Sequence, residues 1–284
     1  MNMTYKITRE EVESLMDLKA AMTPVHESLE VACKDRAQLA RFISRYASLN
    51  GWFGSSVACL AGKIGRCRTM FLDPSEPILD LADRSVLVGS YFFDAARDEF
   101  DDRDTPYRDT HRCLAQAMLK GILQCVGPTD PMAVNALLDP PIWLQGIGAA
   151  VAQGYGVNTP EQDVSIFRSI GYHIGSEILA DMEFTYIDQA MRKHCDILVE
   201  KLSTLKVRIA DQEHNAYAWI SIHSSLTSGG AKEVEHFNWA TQGANVALMY
   251  TPEERREPLR HQIHLGFLDF ARDHQEFFTN VSKD

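Results

Sequence analysis

The sequence predicts an all-α fold in which residues 1–284 form a single domain. Apolar residues recur at three- and four-residue spacing through most of the chain, which is the period of an amphipathic helix. Capping residues and prolines stand where these stretches begin, and no repeat or long linker divides them. With 45% apolar residues, the chain can bury one sizeable core.

The first half of the chain predicts three long helical segments after a short one. Thr8 to Glu11 has the pattern of a capping box that opens the first helix. A core helix is expected from Arg36 to Gly62, with a bend at Asn50-Gly51. Helical periodicity returns from Ile78 to Phe100 and again from Asp109 to Cys125.

The second half predicts a short helical pair and then the longest helix of the protein, from Val164 to about Leu202, with Thr159-Pro-Glu161 as its start signal. A brief alternation at Lys206 to Ile209 indicates an extended segment. Three further helices complete a bundle of about eight to ten: Ala216 to Leu226, Ala231 to Met249, and a last helix that ends near Phe278.

The net charge of −11, with ten histidines, favours a small-molecule partner. An acidic chain is repelled by nucleic acid and by anionic membrane surfaces, so we expect neither as a partner. The first residues lack the apolar segment of a secretory signal, and no stretch is apolar enough to span a membrane. We therefore expect a cytoplasmic protein.

The first candidate site residues stand where a predicted helix ends in an acidic run. Glu99 follows an apolar stretch and falls near its inner face, which makes it a candidate ligand. His111 opens the next helix and can reach Glu99 only across a bend near Pro106. The other acids have the pattern of a solvated helix terminus: Asp101, Asp102 and Asp104.

Glu177 lies in the middle of the longest predicted helix among isoleucine and leucine residues. A charged carboxylate in such surroundings requires a cation, an arginine or a raised pKa. His173 lies one turn earlier on the same face of the helix. Asp181 and Glu183 are expected at the surface.

Two further candidate segments flank Gly229-Gly230. His223 lies on an apolar helix, whereas Glu233 and His236 lie three residues apart, about 60° apart on one helix face. A lone histidine on an apolar helix is more often a core residue than a ligand. The combination of these three residues favours a ligand set.

Together the three stretches supply three carboxylates and three imidazoles. Carboxylates can bridge two cations, and imidazole holds Fe(II) while positions stay open for O2. We predict that these residues bind two iron ions, with manganese as the alternative metal, and that no other side chain is catalytic. The predicted ligands are Glu99, His111, Glu177, His223, Glu233 and His236.

The order of these residues resembles that of the heme-oxygenase-like di-iron oxidases and oxygenases. Members are all-α bundles whose ligands follow the order Glu, His, Glu and then His-x3-Asp-x2-His on a closing helix. The likeness covers about residues 85–245 and implies the heme-oxygenase-like fold. In this chain Asp98-Glu99 to His111 forms the first pair, Glu177 is the middle ligand, and the closing set is His223, Glu233 and His236.

The closing set departs from the family pattern. Nine residues separate His223 from Glu233 where the family has three, and Glu replaces Asp. Either the helix is broken at Gly229-Gly230 and both of its ends turn towards the metal, or another residue takes a ligand position. The substitutes are His214, His173 and Glu235.

The resemblance implies O2-dependent oxidation of a small, amino-acid-like substrate, with an external electron donor. Within the family the chain resembles the azetidine-forming branch of polyoxin biosynthesis, which desaturates an aliphatic amino acid and closes a C–N bond. A substrate carboxylate would bind an arginine. The candidates are Arg97 and Arg168, with Arg112 also nearby, and Tyr172 could wall the pocket. A homodimer is compatible with the sequence.

Two other classes stay open. An all-α terpene or prenyl synthase would bind Mg²⁺ through the acidic run from Asp98 to Asp102. Against it, no Asn-x3-Ser-x3-Glu motif follows, and Mg²⁺ prefers oxygen ligands to imidazole. A metal-free helical binding protein would pair Glu177 with an arginine and use its histidines structurally.

Overall fold

The computed structural model describes residues 5–101, 109–227 and 232–284, and the side chains of these ranges apart from those of residues 232–234. Within these ranges the chain forms fifteen helices and two short strands. In chain order they are α1 (Arg9–Ser14), α2 (Leu18–Ala21), α3 (Thr23–Ala32), α4 (Arg36–Asn50), α5 (Phe53–Arg66), α6 (Leu79–Ala82), α7 (Ser85–Phe100), α8 (His111–Val126), α9 (Pro131–Leu138), α10 (Ile142–Gly154), α11 (Asp163–His194), α12 (Asp196–Thr204), β1 (Lys206–Ile209), β2 (Gln212–Asn215), α13 (Ala218–His223), α14 (Lys232–Met249) and α15 (Glu253–Val281).

Several helices begin at the capping residues that the sequence indicates. The Thr8 side chain accepts a hydrogen bond from the backbone N–H of Glu11 at the start of α1. Thr110 caps α8 in the same way. At α9, Asp130 is the cap and proline occupies the first turn, where its missing N–H has no intrahelical partner to lose. The local sequence therefore sets these helix starts.

The two longest helices, α11 and α15, lie against each other at the centre of the molecule. A Cβ atom at Gly171 would lie 1.9 Å from the carbonyl oxygen of Ile263, and one at Gly266 would lie 1.8 Å from that of Arg168. The two backbones can approach so closely only because both positions are glycine. Because α15 covers it along its length, α11 is buried on several faces.

The remaining long helices surround this central pair. Helix α5 packs on α7, α14 packs on both α7 and α11, and α4 packs on α8. At the first of these contacts, a Cβ atom at Gly89 would lie 3.0 Å from the carbonyl oxygen of Ala61. One continuous core joins the helices. The predicted all-α, single-domain fold is confirmed.

The only strands in the described residues form one antiparallel hairpin. Val207 on β1 pairs with His214 on β2. Ala210, in the turn between them, has a φ angle of 51°. The hairpin confirms the extended segment predicted at Lys206 to Ile209.

Several predicted helices are divided in the structure. The helix expected from Arg36 to Gly62 ends at Asn50 and restarts at Phe53, so the expected bend is a break. The segment expected from Val164 to Leu202 divides at Cys195, yet α11 is still the longest helix of the described residues. Short helices such as α2 and α6 account for the excess over the expected eight to ten.

No helix in the described ranges combines the length and the apolar character that a membrane crossing requires.

Candidate metal centre

One partly enclosed cavity gathers side chains from helices that are distant in the sequence. The volume in which the centre of a water molecule can lie is about 70 Å³, which is enough for roughly five waters. Helices α7, α8, α11, α13 and α14 each contribute one predicted ligand to its wall. These five residues are Glu99, His111, Glu177, His223 and His236.

Glu99 and His111 meet across the end of α7 and the start of α8. Oε1 of Glu99 lies 3.1 Å from Nδ1 of His111. Gly54 on α5 leaves the space that Glu99 occupies, because a Cβ atom there would lie 3.1 Å from the Cβ of Glu99 and 3.3 Å from its Oε2. The convergence predicted across the bend is present.

Glu177 contacts a histidine through each of its oxygens. Oε1 lies 3.2 Å from Nδ1 of His173, one turn earlier on α11, and Oε2 lies 3.4 Å from Nδ1 of His236. Burial lowers the pKa of His173 below its ordinary value, so its ring is neutral at pH 7. His173, one of the substitutes considered for the closing ligand set, is absent from the described cavity lining and contacts Glu177, which is part of that lining.

His236 lies between two carboxylates. Its Nε2 lies 2.9 Å from Oδ2 of Asp98, which is 3% exposed, and its Nδ1 faces Glu177. When Nε2–H of the neutral ring donates to Asp98, the lone pair of Nδ1 and the Glu177 oxygen face each other as two acceptors. A cation or a proton between them stabilises that arrangement.

The His223 ring is held in one orientation. Its Nδ1 lies 2.6 Å from the backbone carbonyl oxygen of Trp219 and donates to it. The ring stacks on Phe184 at 4.5 Å and meets His111 edge-on at 4.6 Å. In the neutral ring this tautomer leaves Nε2 with the lone pair, as in metal-binding histidines whose other nitrogen donates to a carbonyl oxygen.

The break between His223 and His236 resolves one of the open alternatives. Helix α13 ends at His223 and α14 begins at Lys232, and both histidines line the cavity. A broken helix with both ends turned inward is therefore observed for these two residues. Gly229-Gly230 lies outside the described residues, as does the side chain of Glu233.

The proposed substitutes lie elsewhere. His214 is buried on β2, 3.3 Å from Oδ1 of Asp109, and Glu235 is exposed on α14. Neither is among the described residues that line the cavity. In the acidic run, Asp102 and Asp104 lie outside the described ranges.

The predicted substrate-binding residues are not brought into the cavity. Arg97 is exposed on α7, and Arg168 forms an ion pair with Asp269 at 2.6 Å. Tyr172 donates a hydrogen bond to Oδ2 of Asp273 at 3.0 Å. Arg168 and Tyr172 line a separate groove at the surface. Arg112, which stands near the predicted ligands in the sequence, is exposed, but it is among the residues that line the cavity, and its guanidinium donates to the Ala47 carbonyl.

Glu183 was expected at the surface, and that expectation is wrong. It is 8% exposed and lines the cavity together with His274 of α15. Helix periodicity did not reveal this, because α11 is covered on several faces and so has no clear polar side. A signal was available for His274, since it stands one turn from both Phe270 and Phe278 in an apolar helix.

No model of a known protein family matches the chain, and no curated protein matches it significantly. The arguments for a function therefore come from the cavity itself.

The cavity contains the donors that divalent iron uses, carboxylate oxygens and imidazole nitrogens. Within the described part of the chain, no three His, Cys, Asp or Glu side chains are already grouped as a site for one ion. They form carboxylate–imidazole contacts, Glu99 with His111 and Glu177 with His173 and His236. Ionised carboxylates and neutral imidazoles are the forms of these groups that bind a metal ion, so the chemistry of the donor set fits a metal.

Proposed function

We propose that the protein is a non-haem di-iron oxidase or oxygenase that uses O2 to oxidise a small, amino-acid-like substrate. The observation that carries the proposal is the convergence of five predicted ligands, from five helices, on one cavity. Structural roles for the histidines do not explain why three imidazoles and two carboxylates line one internal cavity.

Two pairs of residues would hold the metal ions. Glu99 with His111 forms one pair, and Glu177 with His236 forms the other. His223 adds a third imidazole, oriented by the carbonyl of Trp219. When bound, the two iron ions supply the O2 activation that no protein side chain can provide.

Other side chains of this protein orient the ligands. Asp98 accepts from Nε2 of His236 and directs Nδ1 into the site, and His173 supports Oε1 of Glu177. Partners of this type fix the tautomer and the direction of metal-binding groups.

The rest of the wall favours an aliphatic substrate. Apolar residues from several helices line the cavity, and they exclude water from a reacting C–H bond. They are Leu49, Phe53, Val57, Ile147, Val151 and Phe270. For desaturation, the substrate gives up two electrons and two protons. Reduction of O2 to two waters takes four of each, so an external donor supplies the other two electrons with protons from solvent.

Anaerobic loading with Fe(II) tests the proposal. Elemental analysis should find two irons per chain, and addition of O2 should produce an oxidised iron chromophore. Incubation of the loaded protein with pooled amino acids, a reductant and O2 should give product masses shifted by −2, +14 or +16. The Glu177→Ala variant should lose iron and activity, whereas His261→Gln, at an exposed histidine on α15, should keep both.

One observation favours a metal-free binding protein as the second candidate. In the described residues the carboxylates and imidazoles satisfy one another in pairs, without a ready group of three for a single ion. Anaerobic loading with Fe(II) also separates the two candidates. A protein that binds no iron, and whose folded Glu177→Ala variant is unchanged in every assay, would support the metal-free class.

A further inference from the structure

A second polar group is formed by residues outside the predicted ligand set: Glu183 and His274, which line the same cavity, and Tyr46, which contacts Glu183 but is not among the described residues that line the cavity. The hydroxyl of Tyr46 donates to Oε1 of Glu183 at 2.6 Å, and Nε2 of His274 lies 2.7 Å from Oε2. The exposed fractions are 0% for Tyr46, 8% for Glu183 and 5% for His274. Three different helices, α4, α11 and α15, supply this group.

The hydrogen bonds indicate which atoms carry protons. A carboxylate oxygen can only accept, so in the contact with the Glu183 carboxylate Nε2 of His274 is the donor. In the neutral ring Nδ1 then carries the lone pair. Nδ1 is buried and has no hydrogen-bond partner among the described residues. It is therefore an unsatisfied buried acceptor next to the Glu183 carboxylate.

The charge of this group is not balanced by a basic side chain. Within the described ranges the ion-pair partner of Glu183 is His274, and neither lysine nor arginine contacts it. The surrounding wall is aromatic, since Phe184, Trp219 and Phe270 line the same cavity. A carboxylate beside a neutral imidazole in such a wall is stabilised by a cation that also donates hydrogen bonds.

The spacing along α11 relates this group to the proposed iron ligands. Glu177 and Glu183 are six residues apart, which is roughly 9 Å along a helix axis. Ala180 lies between them and lines the cavity with both. A cavity that holds roughly five waters accommodates a ligand of about five non-hydrogen atoms.

We propose that Tyr46, Glu183 and His274 form the subsite for the primary ammonium group of a small aliphatic substrate. The ammonium donates to Nδ1 of His274 and its charge balances that of Glu183. The aliphatic chain then passes Ala180 towards Glu177 and the proposed iron ligands. The reaction served by this subsite rests on the proposed function, whereas the binding of an ammonium group does not require iron.

Calorimetric titration of the full-length protein tests the subsite, first without metal and then with Fe(II) under anaerobic conditions. The probes are n-butylamine, butyrate and 1-butanol, which share a four-carbon chain and differ in their polar group. At pH 7 the amine is cationic, and we expect it to bind at least tenfold more tightly than either other probe. Glu183→Gln and His274→Gln should each weaken amine binding about tenfold or more, the loss expected for one charge-assisted hydrogen bond.

His264→Gln is the matched control, because His264 lies on the same helix with a glutamate partner, Glu11, at 2.6 Å, but does not line the cavity. It should leave amine binding unchanged. Tyr46→Phe keeps the ring and removes one donor to Glu183, so it should weaken amine binding by a smaller factor. If circular dichroism shows that His274→Gln is unfolded, the effect of Tyr46→Phe and the relative affinities of the three probes still test the subsite.

Three results would overturn the subsite. Tighter binding of butyrate than of butylamine would show a doubly protonated His274 that binds anions. Unchanged amine binding in folded Glu183→Gln and His274→Gln would place the ligand elsewhere. Loss of bound iron in His274→Gln would make His274 a metal ligand. If the unaltered protein binds no iron, the proposed function fails, but the metal-free titration still tests the subsite.

Discussion

Nε2 of His236 lies 2.9 Å from Oδ2 of Asp98, and both residues are buried. Asp98 comes from the last turns of α7 and His236 from α14, so this contact ties two helices together at the cavity. It also orients the ring of His236 so that Nδ1 faces Glu177. Through this contact a residue outside the predicted ligand set orients a predicted ligand, as the carbonyl of Trp219 does for His223.

Replacement of Asp98 should therefore weaken metal binding without removing a ligand. In Asp98→Asn the amide can donate to Nε2, which reverses the tautomer and turns an N–H towards Glu177. We expect a 10- to 100-fold loss in Fe(II) affinity, the usual effect of losing such a partner. Anaerobic competition with a chelator measures it. Asp94→Asn, one turn earlier on α7 and absent from the cavity lining, should bind iron normally; equal losses in both variants would count against this role.

Gly54 should be as necessary to the site as a ligand, although it has no side chain. In Gly54→Ala the new methyl group meets the Cβ and Oε2 of Glu99 at 3.1 and 3.3 Å and displaces that carboxylate. We expect reduced iron content in a folded protein. Gly65→Ala is the control on the same helix, because a Cβ atom there meets nothing within 4 Å. It should retain iron and gain up to about 1 kcal/mol of stability from helix propensity.

The sequence was sufficient to predict most helices, and for a local reason. Capping at Thr8 and Thr110, apolar periodicity and the proline positions all act within a few residues. The pairing of Glu177 with His173 was also within reach, because residues four apart share a helix face. Gly229-Gly230 made a helix break between His223 and His236 one of two alternatives, and α13 ends at His223 while α14 begins at Lys232.

What the sequence could not predict depends on packing between distant helices. The burial of Glu183 results from α15 lying along α11, and its contacts with Tyr46 and His274 span 137 and 91 residues. The position of Arg168 away from the cavity depends on Asp269 of α15 in the same way. Local patterns carry no information about which helix will cover a given face.

The close contact between α11 and α15 predicts that a methyl group added at the crossing will destabilise the protein. In Gly266→Ala the methyl group would lie 1.8 Å from the carbonyl oxygen of Arg168, a backbone atom that cannot rotate away. We expect a loss of about 3 kcal/mol in the free energy of unfolding, the upper range for overpacking. Urea denaturation followed by circular dichroism measures it. Gly146→Ala on α10, with nothing within 4 Å of the new methyl group, should not be destabilised.

Asp181 should reduce the stability of the folded protein at neutral pH. Burial raises the pKa of its carboxyl above 3.8, and its Oδ1 has no hydrogen-bond partner in the described residues. The folded state binds more protons than the unfolded state between 3.8 and the raised pKa, so this group lowers stability as pH rises through that window. Asp181→Asn removes the charge and should stabilise the protein by about 1 kcal/mol at pH 7. Thermal unfolding of both proteins across pH measures the difference, which should shrink as the pH falls and vanish below 3.8.

Asp211→Asn, in the hairpin turn, should have no comparable effect. If the extra stability of Asp181→Asn persists at low pH, its cause is packing rather than charge.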